Sequence, residues 1–210
     1  MAMDISRRML ILDALAYRVR LFSWPQLLWL GPPSSSYARY LRRLVRRLED
    51  ARLIRRIEIL ARPAPVIEKP LHVWRVGDPA PNCHGIQYQA EQRNQRPVEP
   101  VTVFLGTQRL ANALGGSCGH CLNHHSATHD LGVTGIYLHL WKTHPELALT
   151  WQGEDIVAPS RHRQKLPDAI LYNRAGEPTM AIEYIGDYPV SRIQAFHDDA
   201  AARNLPYEVY

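Results

Sequence analysis

Two periods alternate along this chain, one helical and one strand-like. The clearest helical stretch runs from Ser34 to Arg56. Its apolar residues Tyr37, Tyr40, Leu41, Leu44, Val45 and Leu48 recur at the i, i+3, i+4, i+7 spacing of a single buried face. Pro32-Pro33 stops a helix arriving from upstream, and the run Ser34–Ser36 offers N-caps. Upstream, Ile5–Tyr17 has helical spacing, and Leu21–Trp24 forms a short aromatic strand. Pro25 opens a second helix that Gly31 closes. Downstream, Ile54–Leu60 alternates as a strand and Leu71–Val76 supplies another. The proline-rich segment 61–70 between them is unsuited to regular structure.

The second half changes character. Gly77–Pro100 is polar and reads as a linker or irregular crossing. Val101–Leu105 predicts a strand, and Thr107–Leu114 a short helix stopped by Gly115-Gly116. The pattern then predicts a helix over Asp130–Trp141 and strands over Leu147–Trp151, Lys165–Tyr172 and Thr179–Tyr184. A helix over Ser191–Asn204 and a last strand over Pro206–Tyr210 follow. The expected fold class is α+β in two domains. Residues 1–78 form the first, 79–128 a linker with a cysteine- and histidine-rich loop, and 129–210 the second.

Charge sharpens this division. Residues 1–75 hold 15 Lys/Arg against 6 Asp/Glu, a balance of +9, and the remainder carries −4. The basic half is therefore the expected contact for a polyanion. Within it, Arg39, Arg42, Arg43, Arg46 and Arg47 lie on the polar face of the Ser34–Arg56 helix, with no acid between them. Guanidinium groups so placed suit the DNA major groove, where arginine binds phosphates and reads guanine edges bidentately. The bland alternative is a solvated face whose arginine stems cover apolar surface.

At 46% apolar residues the chain can bury substantial cores. No apolar run approaches the roughly 20 residues of a membrane span. There is no signal-peptide layout, and three cysteines are too few for a disulfide framework. The expectation is a cytoplasmic protein without a membrane partner. Cys118 and Cys121 have the spacing of half a zinc site, which His124 or His125 and Cys83 could complete; the alternative is a connector with ordinary thiols.

The order helix, short strand, helix, basic helix, strand, loop, strand over residues 5–76 resembles a winged helix-turn-helix. That resemblance implies a third helix in the major groove, with Ser36, Arg39, Arg42, Arg43 and Arg46 as contacts. It makes Arg62 and Lys69 the wing contacts. The later order of helix, three strands, helix and strand resembles the restriction-endonuclease-like core. Pro167-Asp168 opens one strand and Glu183 stands on the next, as in PD-(D/E)xK nucleases. There the two acids hold a divalent metal such as Mg²⁺, and a lysine two residues after the second acid assists. Ile185 occupies that position here, so the expected domain is catalytically silent unless Lys165 or Lys142 reaches the site.

Together the halves resemble the replication-relaxation proteins of plasmids and mobile elements. The likeness is carried by His129-Asp-Leu-Gly-Val133, Leu166-Pro-Asp-Ala169, Ala181-Ile-Glu-Tyr184 and the helix leading to Tyr207. It implies binding of double-stranded DNA in transcription, replication or transfer, and because winged-helix regulators commonly bind palindromes as two-fold dimers, a homodimer is expected. The alternatives are a metal-dependent endonuclease using Asp168 and Glu183, and a protein-interaction adaptor.

Overall fold

The computed structural model describes residues 2–118, 124–161 and 165–210, and their side chains from residue 7 onward except those of 124 and 125. The first elements are α1 (Ala2–Asp13), a π-helical turn at Ala14–Arg18, β1 (Leu21–Ser23), α2 (Trp24–Trp29), α3 (Ser35–Asp50) and β2 (Ile54–Ala61). Next come β3 (His72–Trp74), α4 (Cys83–Arg93), β4 (Glu99–Gly106) and α5 (Gln108–Leu114). The chain continues through α6 (His124–Thr143), α7 (Pro145–Thr150), β5 (Trp151–Gly153), α8 (Glu154–Val157) and β6 (Ala169–Tyr172). It finishes with β7 (Pro178–Glu183), α9 (Val190–Ala202) and β8 (Tyr207–Val209). The fold is α+β with two sheets. One has the order β1-β4-β2 and the other β3-β8-β7-β6-β5. Among these pairings only β7 with β8 is parallel.

Local chemistry sets the early elements. Ser23 and Gln26 form a reciprocal capping box at the start of α2, with Pro25 in its first turn. The Ser34 hydroxyl accepts the Tyr37 N–H at 3.2 Å and starts α3. Gly31, between the two helices, has no room for a side chain, because a Cβ there would overlap the Tyr37 ring. Tyr37 in turn donates its hydroxyl to the Leu27 carbonyl at 3.2 Å, which fixes α3 against α2.

Three expectations are corrected by the pairing of strands. The segment Leu71–Val76 does not return beside β2. Its strand β3 pairs with β8 at the edge of the five-stranded sheet, where the Trp74 ring stacks on Tyr207 with centroids 5.5 Å apart. The partner of β2 is β4, matched over eight residues from Ile54–Gly106 to Ala61–Glu99. An eight-residue strand with alternating burial finds its full-length complement in β4, whereas β3 offers three residues behind a proline-rich approach. The segment expected as a linker therefore carries a central strand and α4, which buries Cys83, Ile86 and Ala90 among residues of α9 and β8. Finally, Leu147–Thr150 is the helix α7, opened by Pro145, and only Trp151 onward is strand.

The helix α6 explains how the two sheets meet. Val133, Ile136, Tyr137, Leu138 and Leu140 are buried in a core shared with α1, α3, β6 and β7. Ala127 and Leu131 enter a second cluster with Leu21, Ile59, Val103 and Leu105 of the three-stranded sheet. A helix apolar on nearly every side is buried on nearly every side. The core thus runs across the boundary expected at residue 78. Among the described residues no helix is long and apolar enough to cross a membrane.

Gly132 lies where α6 crosses Tyr184, and a Cβ there would overlap the fully buried tyrosine ring. Gly132→Ala should destabilise the fold by about 1–3 kcal/mol through overpacking. Urea unfolding with an unchanged m-value and a lowered midpoint is the expected reading.

Candidate nucleic-acid interface and carboxylate cluster

The helix α3 buries Tyr37, Leu41, Leu44, Val45 and Leu48 and exposes its other face. Ser36, Arg39, Arg42, Arg43 and Arg46 together line one shallow, open hollow on that face. Among the described residues none of these four arginines is paired with a carboxylate. A second hollow adjoins the first. Arg42 and Arg46 border it together with Trp24, Val45, Arg56, Thr102 and Phe104. Here the Arg42 guanidinium lies over the Trp24 ring at 6.0 Å, and that of Arg56 over Phe104 at 5.7 Å. Arg56 is held by two bonds to Glu49, at 3.0 and 2.7 Å. The basic surface thus continues from α3 onto the outer face of β2 and β4.

Arg62 and Lys69 are not on this surface. β2 leaves α3 at Ile54, and Arg62 follows its far end, about 25 Å along an extended strand. There Arg62 donates its backbone N–H to Thr128 and pairs with Asp187 at 3.1 Å. Lys69 is exposed on the crossing to the second sheet, two residues before Leu71 donates to the Val209 carbonyl.

The cysteines are separated as well. Cys83 packs between α4 and α9, with its thiol 3.4 Å from the Gln194 side-chain oxygen. Cys118 lies against Gly106 and points its thiol at the Leu15 carbonyl at 3.2 Å. Burial pushes the Cys118 thiol up to about 11, which favours the protonated form over a metal-binding thiolate. Cys121 and the side chain of His124 lie outside what the structure describes.

The two carboxylates expected on neighbouring strands do meet. Ala169 and Ile182 are register partners, which sets Asp168 opposite Glu183. The Asp168 N–H donates to Glu183 Oε2 at 3.2 Å, and the Tyr184 N–H donates to Asp168 Oδ2 at 2.6 Å. His129, from α6, brings Nε2 to 3.3 Å from Asp168 Oδ2 and Nδ1 to 3.7 Å from Asp130 Oδ1. The Tyr188 hydroxyl lies 3.2 Å from His129 Nε2 and accepts a bond from Arg192 at 2.8 Å. Beside this group, Arg20 clasps Asp155 through Nε and Nη2, at 2.9 and 2.8 Å, and Glu154 at 2.8 Å.

Burial decides the charge states. Glu183 is 1% exposed, and its carboxyl is held well above the usual range by burial first and the Asp168 charge second. For His129, burial works against the cation, but Asp168 and Asp130 outweigh it and raise the imidazole well above its ordinary value. His129 is thus held toward its cationic form and Glu183 toward its neutral one. One oxygen of each acid is met by a backbone donor, and that of Asp168 also by the imidazole; among the described residues no group of three or more His, Cys, Asp or Glu side chains is placed to hold a metal ion. Ile185, two residues after Glu183, is buried with Ile193 and Phe196. Lys142 lies over the Trp29 ring at 4.8 Å, away from the cluster. Lys165 is anchored by its backbone beside Asp199 and Arg161.

In the sequence, His129-Asp130 carries the family resemblance and no spacing that marks a site. Tyr188 and Arg192, four residues apart at the start of α9, and Arg20, just before β1, carried no signal because the groups they meet lie far away in sequence, on α6 and at α8. No protein-family model, curated protein or solved structure matches the chain.

The charge states make stability depend on pH. The His129 contribution is complete below its unfolded value of about 6.5 and is lost as pH rises through the raised native value. Glu183 acts in the same sense, since ionising it in the fold becomes costly as pH climbs above about 4.3. The melting temperature should therefore fall from pH 6.5 to 9, and His129→Gln should flatten that decline. Glu183→Gln, which keeps a neutral acceptor, should melt no lower than wild type at pH 8, while Asp168→Asn should melt lower. Calorimetry across this range checks all three.

Proposed function

We propose that this chain is a sequence-specific double-stranded DNA-binding protein that sets α3 into the major groove. One observation carries the reading. Five residues of one helix face, four of them arginines without carboxylate partners among the described residues, line a single open hollow. The hollow faces outward because the opposite face of the same helix is core. Unpaired guanidinium groups on a rigid helix are preorganised for phosphates and guanine edges.

The connectivity supports a winged-helix reading of the region around α3. α1, β1, α2 and α3 are followed by two antiparallel strands, and the second of these also pairs β1. In this reading the wing is β2 with β4, and residues 62–98 are an insertion at its tip. The second sheet supports a nuclease-like reading, with α6, three antiparallel strands, α9 and a parallel fourth strand. Its acids are turned to an internal role. The Asp168–Glu183 pair, tied to His129, locks α6 to β6 and β7 in place of cutting a phosphodiester. The protein so read is a DNA-binding regulator or accessory factor of a plasmid or mobile element, acting as a homodimer on a two-fold site.

Replacing Arg42, Arg43 and Arg46 together by alanine should nearly abolish binding and leave the melting temperature unchanged. In the wild type, log affinity should fall linearly with log salt concentration. Single alanine variants should each lower that slope by about 0.9. Wild-type slopes in the triple variant would remove α3 from the interface. Supercoiled plasmid incubated with Mg²⁺ or Mn²⁺ should remain intact, and nicking that disappears in Asp168→Ala would overturn the silent reading. Light scattering on the DNA complex should give two protomers per site.

A further inference from the structure

The three-stranded sheet has one open edge inside a groove. Thr107 donates its N–H to the Leu53 carbonyl at 3.1 Å, one step beyond the register pair Ile54–Gly106. Thr107 thus turns its backbone donor toward the β2 side, while the Leu53 N–H goes to the Leu48 carbonyl. The β2–β4 register runs unshifted from Ile54–Gly106 to Ala61–Glu99. Hydrogen-bonding direction alternates along a strand, so odd-numbered residues of β4 face β2 and even-numbered ones face β1. Pro100 fits this parity, since a proline sits where no ladder donor is needed. β1, however, ends at Ser23 opposite Val103. Beyond it, the Thr102 N–H and C=O and the Pro100 C=O face no strand of the described residues.

What they face is a groove of about 440 Å³. Trp24 and Trp29 form one wall and Pro65 and Val66 the other, with Gly135 and Leu138 at its base. Trp29 and Val66 are 51% and 63% exposed, so apolar surface is open along both walls. A strand entering here would continue the line of β1. Its side chains would alternate between the two faces of the sheet. One set would descend toward Gly135 and Leu138. The other would share the Thr102 face, which opens on the hollow bordered by Arg42, Arg46 and Arg56. The first set calls for apolar residues and the second for acids.

We propose that this groove takes an extended peptide segment of a partner protein, with apolar and acidic residues in alternation, added antiparallel to β4 as a fourth strand. Main-chain bonds to Thr102 and Pro100 set the register, and the arginines on the Thr102 face select the acids. The proposal does not depend on DNA binding.

The probe is a fluorescein-labelled octapeptide of four Val-Asp repeats, measured by anisotropy against the full chain. In the antiparallel register, the aspartate N–H groups point at β4 and the valine N–H groups point away. N-methylation of every aspartate should weaken binding about tenfold or more, and N-methylation of every valine should leave it within twofold. Thr102→Pro removes the donor on the open edge and leaves the bonds between β2 and β4 in place, and should weaken the unmodified peptide to a similar degree with the melting temperature retained. No binding of the octapeptide would overturn the proposal. So would equal or reversed sensitivity to the two methylation patterns, the mark of simple attraction to the α3 arginines.

Discussion

The burial of α6 between two sheets is the constraint on which the molecule rests. A 20-residue helix with apolar side chains around its circumference cannot lie on a surface. It needs cover on several sides, and the two sheets together with α1 and α3 supply it. The polar groups on this helix then become joints. Thr134 donates to the Leu21 carbonyl at 2.7 Å, and Gln26 of α2 donates to the Leu131 carbonyl at 2.8 Å. At the N-terminal side His129 joins the strands that carry Asp168 and Glu183. One helix thereby fixes the sheet behind α3 and the carboxylate cluster at once.

This arrangement gives the acid pair its character. Two carboxyl groups on adjacent strands repel if both ionise, and a low-dielectric site magnifies the cost. Here burial favours the neutral form of Glu183, and Asp168 is met by His129 and a backbone donor. A buried set of this kind, with its partners in place, specifies one packing; a set with one partner removed leaves a charge unmatched.

The basic face follows a different logic. Its arginines are exposed, and their value lies in what they can meet. The rigid backing of α3 by Tyr37, Leu41, Leu44 and Leu48 lowers the entropy lost when they engage a ligand. Arg42 over Trp24 and Arg56 over Phe104 extend the surface around the open edge of β4. Helix face, sheet face and strand edge thus share one side of the molecule.

The sequence by itself determined what depends on local spacing. The amphipathic period of α3, its serine cap and its run of arginines located both the helix and the face that would stay exposed, since burial of one stripe dictates the other. The alternating runs at Ile54–Leu60 and Thr179–Tyr184 likewise marked strands β2 and β7. Only the tertiary structure decided who pairs with whom. β2 passes over β3, nearest in sequence, for β4, because pairing follows length and register and these are matched at a distance. α4 was hidden in Gly77–Pro100 because its apolar residues are few, and it is buried by α9, more than ninety residues later. The charge states of His129 and Glu183 were beyond reach for the same reason. A carboxyl is ionised or neutral according to its neighbours and its distance from water, and both are properties of the folded chain.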